Sequence, residues 1–139
     1  MYRILILIIF TISNNHAQIG NNFGEVYPIF PICKLIPDNK QNKCFDESMF
    51  EHIEKNFSYP QTAWDLDLES LVRIRFDINE KGNVDNIIAS AAVVGISFIE
   101  REALRAAESM FEVAAANIIR KLPKMSPAKK DGKPFNKTF

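Results

Sequence analysis

Between residues 72 and 78 the chain alternates with a period of two, Val72, Ile74, Phe76 and Ile78 against Arg73, Arg75 and Asp77. Successive side chains of a strand point to opposite faces, so the pattern demands a sheet with one face on a core and one in water. Asn79-Glu80-Lys81-Gly82 follows as a hairpin loop in which the glycine supplies a positive φ. Residues 83–90 then make the returning strand. A lone hairpin is marginal in water, so its apolar face needs helices against it.

Two segments supply them. Residues 46–56, with Phe57 just after them, place Met49, Phe50, Ile53 and Phe57 at the three-and-four spacing of a helix with one buried face. Asp46 caps it, Glu47 suits its positive end, and Tyr59-Pro60 closes it, because the residue before proline is pushed out of the helical region. The second helix, residues 98–121, starts at the capping-box pair Ser97 and Glu100. Ile99, Ala103, Ala106, Met110, Val113, Asn117, Ile118 and Leu122 form the stripe expected to face the sheet, and Pro123 stops it. A second match at Ser109 and Glu112 leaves open a break into two helices. Residues 135–139 read as a short edge strand.

The 139 residues suffice for one domain, and 17 Lys+Arg against 17 Asp+Glu leave no net charge. Such a balance argues against a nucleic-acid partner, which needs surplus base to displace phosphate counterions. The first residues have the pattern of an export signal: Arg3, an apolar run over 4–12, then a polar stretch ending in Ala17. The run is too short to cross a bilayer, which takes roughly 20 apolar residues. The expected organisation is a signal peptide at 1–17, an N-terminal extension at 18–45 and the folded domain at 46–139. The location is periplasmic, or membrane-associated if the signal stays uncleaved.

Export permits a disulfide between Cys33 and Cys44, with Pro37, Asp38 and Asn39 letting the chain double back between them. A metal site or a catalytic thiol are the alternatives. The first wants more ligands than His52 can add, and the second wants a partnered His. The glycines are too scattered for a phosphate loop, and Glu51 and Glu54, one helical turn apart, read as a wet face rather than a glycosidase pair. The residues therefore point to no enzyme, no cofactor, no metal and no small-molecule substrate.

Four stretches in order resemble one family. They are Tyr59-Pro60-Gln61-Thr62-Ala63; the hairpin 72–87; Leu122-Pro123-Lys124-Met125-Ser126-Pro127; and Asp131-Gly132-Lys133-Pro134-Phe135. Together they are similar to the TonB C-terminal domain, in the form found in small exported proteins of Gram-negative envelopes, and Cys33 and Cys44 fall where one branch carries a Cys pair. The resemblance implies an α+β fold, a three-stranded antiparallel sheet packed on helices in the order α-β-β-α-β. It implies a contact function, binding of an outer-membrane receptor or another envelope protein by strand addition, with a homodimer as a further option. The positions it implies for the partner are Asn56, Phe57, Ser58, Tyr59, Pro60, Lys133, Phe135, Lys137 and Phe139. An orphan envelope scaffold without a transport role is the alternative.

The chain departs from that family in the region of 56–58, in Ser70 where a glycine is common, and in a last strand that runs only to Phe139. Its charge is also bipolar. Residues 46–69 hold seven acids against Lys55, and residues 120–137 hold seven bases against Asp131. A basic C-terminal stretch of this kind is expected to steer an acidic partner toward the neighbouring edge strand.

Overall fold

The structure, a computed structural model, describes residues 24–95 and 100–139. The signal-peptide segment and the residues Ser97 and Ile99 lie outside it. The described chain is α+β, with three α-helices and two small antiparallel three-stranded sheets. The larger sheet has the order β3-β2-β6, with β2 at Glu69–Ile78, β3 at Val84–Val94 and β6 at Lys137–Thr138. The smaller, β1-β4-β5, joins Glu25–Val26, Lys129–Lys130 and Lys133–Pro134. Sequence periodicity gave no sign of this second sheet, because its strands are two residues long.

The hairpin forms where the alternation places it, and both strands extend beyond it. The Asn79 carboxamide oxygen accepts from the amides of Lys81 and Asn83 at 3.0 and 3.1 Å, closing the loop. Gly82 turns at φ +80°, and a Cβ there would stand 1.8 Å from the Met125 carbonyl oxygen, so the position admits only glycine. The Met125 amide donates to the Gly82 carbonyl at 2.9 Å, tying the loop to the segment after the last helix. Asn86 and Ile87 both oppose Phe76, a bulge with Asn86 at φ 48°.

Helix α1 runs Asp38–Asn56, not from Asp46, so Asp46 is an interior residue and the cap position is Pro37. The chain reverses through a short 3-10 turn at Pro31–Cys33, and Pro37-Asp38-Asn39 starts the helix. Proline at the helix entrance loses no hydrogen bond that the first turn would have made. Cys44 is therefore helical, and the Cys33–Cys44 disulfide ties the turn to α1 across a Cα–Cα distance of 5.9 Å. Helix α2, Gln61–Asp65, is a short turn after Pro60.

Helix α3 spans Arg101–Arg120 without a break at Ser109 and packs on the β2–β3 hairpin. The face that packs shares Ile118 and the following Leu122 with the expected stripe and otherwise departs from it. Ala107, Phe111, Ala115, Ile118 and Ile119 are buried, whereas Ala103, Ala106, Val113 and Asn117 are exposed. Alanine surrounds this helix on several faces, so spacing alone does not fix its phase. Phe111 and Ile119 bury the most apolar surface and decide it.

The core has two parts. One gathers Phe30, Phe45, Phe76, Ile78, Ile119, Leu122 and Met125; the other gathers Ala63, Ala91 and Phe111 beneath Tyr59, Leu68 and Val72. Phe139 stacks between Phe45 and Phe76 at centroid distances of 5.0 and 5.5 Å, which holds β6 in place.

Candidate functional site

In a strand, the N–H and C=O of one residue face the same edge and those of its neighbour face the other. Phe76 and Phe139 exchange both backbone bonds, at 3.2 and 2.9 Å, so the even residues of β2 face β6. The Leu68 carbonyl accepts from the Tyr59 hydroxyl and its amide donates to Ala63, which fixes the other end of the same edge. Between these two anchors lie Ser70, Val72 and Ile74. Strand β6 reaches only Asp77 and Ile78, and no described residue bonds to the backbone of Ser70, Val72 or Ile74 on this side. The middle of the central strand is thus an unpaired edge closed at both ends.

The outer edge of β3 is occupied at one position. Val72 lies opposite Ala91, so the Ala91 amide faces outward, and it donates to the Glu112 carboxylate at 3.1 Å. Together with the bulge at Asn86, this blunts that edge against pairing.

Residues 57–60 form a wall that shares a cavity with Ser70, Val72 and Ile74 of β2, and Asn56 stands outside that cavity. Asn56 ends α1, its Nδ2 donating to the His52 carbonyl at 2.8 Å. His52 Nε2 donates to the Ile118 carbonyl at 2.8 Å and so fastens the end of α1 to α3. Phe57 leaves the helix in extended conformation, 44% exposed, and Ser58 is exposed. The Tyr59 ring meets Phe111, Trp64 and Phe57 edge-on at 5.6, 5.9 and 6.4 Å. Burial, with the carboxylates of Glu69 and Asp67 nearby, pushes its hydroxyl pKa up, so it remains a donor to Leu68. Pro60 leads into α2.

A cavity of about 50 Å³ lies beneath the edge, lined by Ile53, Phe57, Tyr59, Val72, Ile74 and Phe111 among others. A wider cleft of about 710 Å³ lies on the far side of the same wall, bordered by Asn56, Gln61, Met110, Val113, Asn117 and Lys121. Tyr59 and Pro60 border both.

The C-terminal residues named from the sequence are not gathered with 56–60. Lys133 is exposed on the β4–β5 hairpin, whose two-residue turn places Asp131 and Gly132 at φ 51° and 78°. Phe135 is half-buried and its amide donates to Ala128 at 3.0 Å. Lys137 forms an ion pair with Glu25 and lies over the Tyr27 ring at 4.6 Å, while Phe139 belongs to the aromatic stack. These two side chains are engaged within the fold, at the Phe76 end of the edge.

Comparison with protein-family models, with curated proteins and with solved structures gives no match to this chain.

Sequence reasoning passed over Ser70, Val72 and Ile74, because what sets them apart is an unpaired stretch of backbone, and backbone groups are common to every residue. The usable signal was a length mismatch: β2 has 10 residues, β6 has 2, and an edge must remain. Among the described residues no three His, Cys, Asp or Glu gather as a metal site, and no helix is long and apolar enough to cross a membrane. The disulfide is consistent with an extracytoplasmic protein.

Proposed function

We propose that this chain is a non-catalytic periplasmic interaction domain of the TonB C-terminal kind, which takes an extended segment of an outer-membrane receptor onto its sheet in TonB-dependent transport. The observation that carries this reading is the unpaired stretch of β2 between Leu68 and Phe76. Three amides and three carbonyls stand there beside an apolar cavity, and an extended backbone is their natural complement. The Tyr59-Pro60 segment, which the resemblance assigns to partner contact, forms the facing wall.

The test is capture of outer-membrane receptors from Gram-negative envelope extract by the purified, oxidised chain and by Ser70→Pro. The Ser70 amide faces the open edge, so proline there removes a donor to the guest without breaking the β2–β3 ladder. Receptors recovered by the parent chain and lost with Ser70→Pro, at unchanged secondary structure, support the reading. Recovery insensitive to that change overturns it.

The second reading is an envelope scaffold with no transport role. Ile32 and Leu35, 76% and 96% exposed beside the disulfide, favour it by presenting an apolar contact that is not part of the cavity lined by β2. Envelope proteins captured through Leu35, and indifferent to Ser70→Pro, would establish it.

A further inference from the structure

We infer that the disulfide-bound turn at residues 31–37 is a membrane-contact tip, which seats Ile32 and Leu35 in an anionic lipid bilayer with Lys34, Lys40 and Lys124 facing its headgroups. The inference is independent of the strand-addition reading and adds a second surface to it. The backbone of the turn sets the geometry. The Cys33 amide donates to the Phe30 carbonyl at 2.9 Å and the Ile36 amide to the Cys33 carbonyl at 3.1 Å, a repeat in which side chains three residues apart lie one above the other. Cys33 and Ile36 take the inner side: the first is fully buried in its bridge to Cys44, and the second packs on the core. Ile32 and Leu35 take the outer side. Because the bridge and Ile36 pin the turn, neither aliphatic can roll inward to cover itself, and Leu35 stays 96% exposed.

The surroundings decide what such a tip fits. Its apolar surface is Ile32, Leu35 and the exposed Pro31 and Pro37. A stable protein interface takes about 800 Å² from each partner, far more than these supply, whereas insertion into lipid needs no matching surface. The charge around the tip is basic. Lys34 lies within the turn and Lys40 in the first turn of α1. Lys124 is brought alongside because Ile29 and Ser126 bridge through two bonds of 3.0 Å, and Pro31 and Lys124 each follow that bridge by two residues. All three lysines are exposed and form no ion pair among the described residues, whereas Lys43 is paired with Glu47. Asp38 is the one acid of residues 31–43, and Glu80 and Lys81, on the loop that Gly82 ties to Met125, cancel each other. Asp46, Glu47, Glu51 and Glu54 stand two or more helical turns beyond Asp38, where they keep the rest of α1 off an anionic surface and confine contact to the tip. None of the tip residues lines the cavity at Ser70, Val72 and Ile74, so lipid and a partner strand use separate surfaces.

The test places an optical probe in the tip. Leu35→Trp, made together with Trp64→Phe in the full, oxidised chain, is titrated with vesicles of equimolar phosphatidylglycerol and phosphatidylcholine, and with vesicles of phosphatidylcholine alone. On the anionic vesicles the emission is expected to shift to the blue and to be quenched by lipids brominated on their acyl chains. The response to phosphatidylcholine alone is expected to need more than about tenfold more lipid. Because the probe sits at position 35, the apolar run at 4–12 cannot supply this signal. Lys34→Gln and Lys124→Gln should each weaken the anionic response about fivefold, and Ile32→Ser more than about tenfold. A probe left unquenched on anionic vesicles, whether or not the chain binds them, overturns the inference, and so does an equal response to the two lipids. Envelope proteins captured through Ile32 and Leu35 with no response to lipid make the tip a protein contact and overturn it too. Receptor capture through Ser70 is measured separately, so failure here leaves the strand-addition reading untouched.

Discussion

Asp77 interrupts an otherwise apolar end of β2, 9% exposed between Phe76 and Ile78, and the hydrogen bonds around it explain why a carboxylate belongs there. The Thr138 hydroxyl donates to one oxygen at 2.6 Å and the Asn86 amide to the other at 2.7 Å. These bonds, with one from Asn136 and the charge of Arg75, hold its pKa below the usual carboxylate range. One side chain thereby joins β2, the bulge of β3 and β6. A depressed pKa means stability that is present above the unfolded value, about 3.9, and lost as pH falls through the folded one. Asp77→Asn is expected to cost about 1.5–3 kcal/mol at pH 7, the worth of hydrogen bonds to a charged group. The difference from the parent should narrow below about pH 4, as protonation removes what the substitution removes. Urea melts of both proteins at pH 7 and pH 3 check it, and a gap that ignores pH would refute the assignment.

Among the elements, the disulfide turn does the most for its size. Cys33 is fully buried, Phe30 beside it packs on Phe45, and the bridge closes a loop with a sequence separation of 11. In the chain-entropy picture such a loop is worth about 3 kcal/mol, so Cys33→Ser/Cys44→Ser should lower unfolding free energy by that order while circular dichroism keeps its shape. A loss well under 1 kcal/mol would mean that Phe30 and Phe45 hold the turn unaided. The hairpin was legible because alternation with a glycine loop has one structural solution. The phase of α3 was not, since alanine fits either side of a helix and only contact with the sheet chooses between them. The start of α1 was hidden for a related reason: residues 38–45 carry little apolar surface besides Cys44 and Phe45 to set a period. Strands β1, β4, β5 and β6 are too short to alternate at all. Of the candidate site, 56–60 was legible as a place, whereas the open edge exists only once strand lengths are known.

At the scale of the whole molecule the opposed charges stay on the surface. Every acid of residues 46–69 is exposed, as are Lys124, Lys129, Lys130 and Lys133, whereas Lys137 is withdrawn into its pair with Glu25. A field set up by that basic end accelerates encounter with an acidic segment more than it tightens the complex. The association rate of a short acidic peptide should therefore fall several-fold between about 20 and about 300 mM salt, where the Debye length shortens. Lys129→Glu/Lys130→Glu/Lys133→Glu should slow association and leave dissociation unchanged. Stopped-flow rates decide this, and a rate indifferent to salt would remove steering. The sole tryptophan of the chain, Trp64, stands edge-on to Tyr59, whose hydroxyl anchors one end of the open edge. Half-exposed as it is, its emission colour depends on how wet that corner remains. The protein thus carries its own optical reporter, and the arrival of a strand along β2 that the proposed function requires would be followed by light from the native chain with no dye attached.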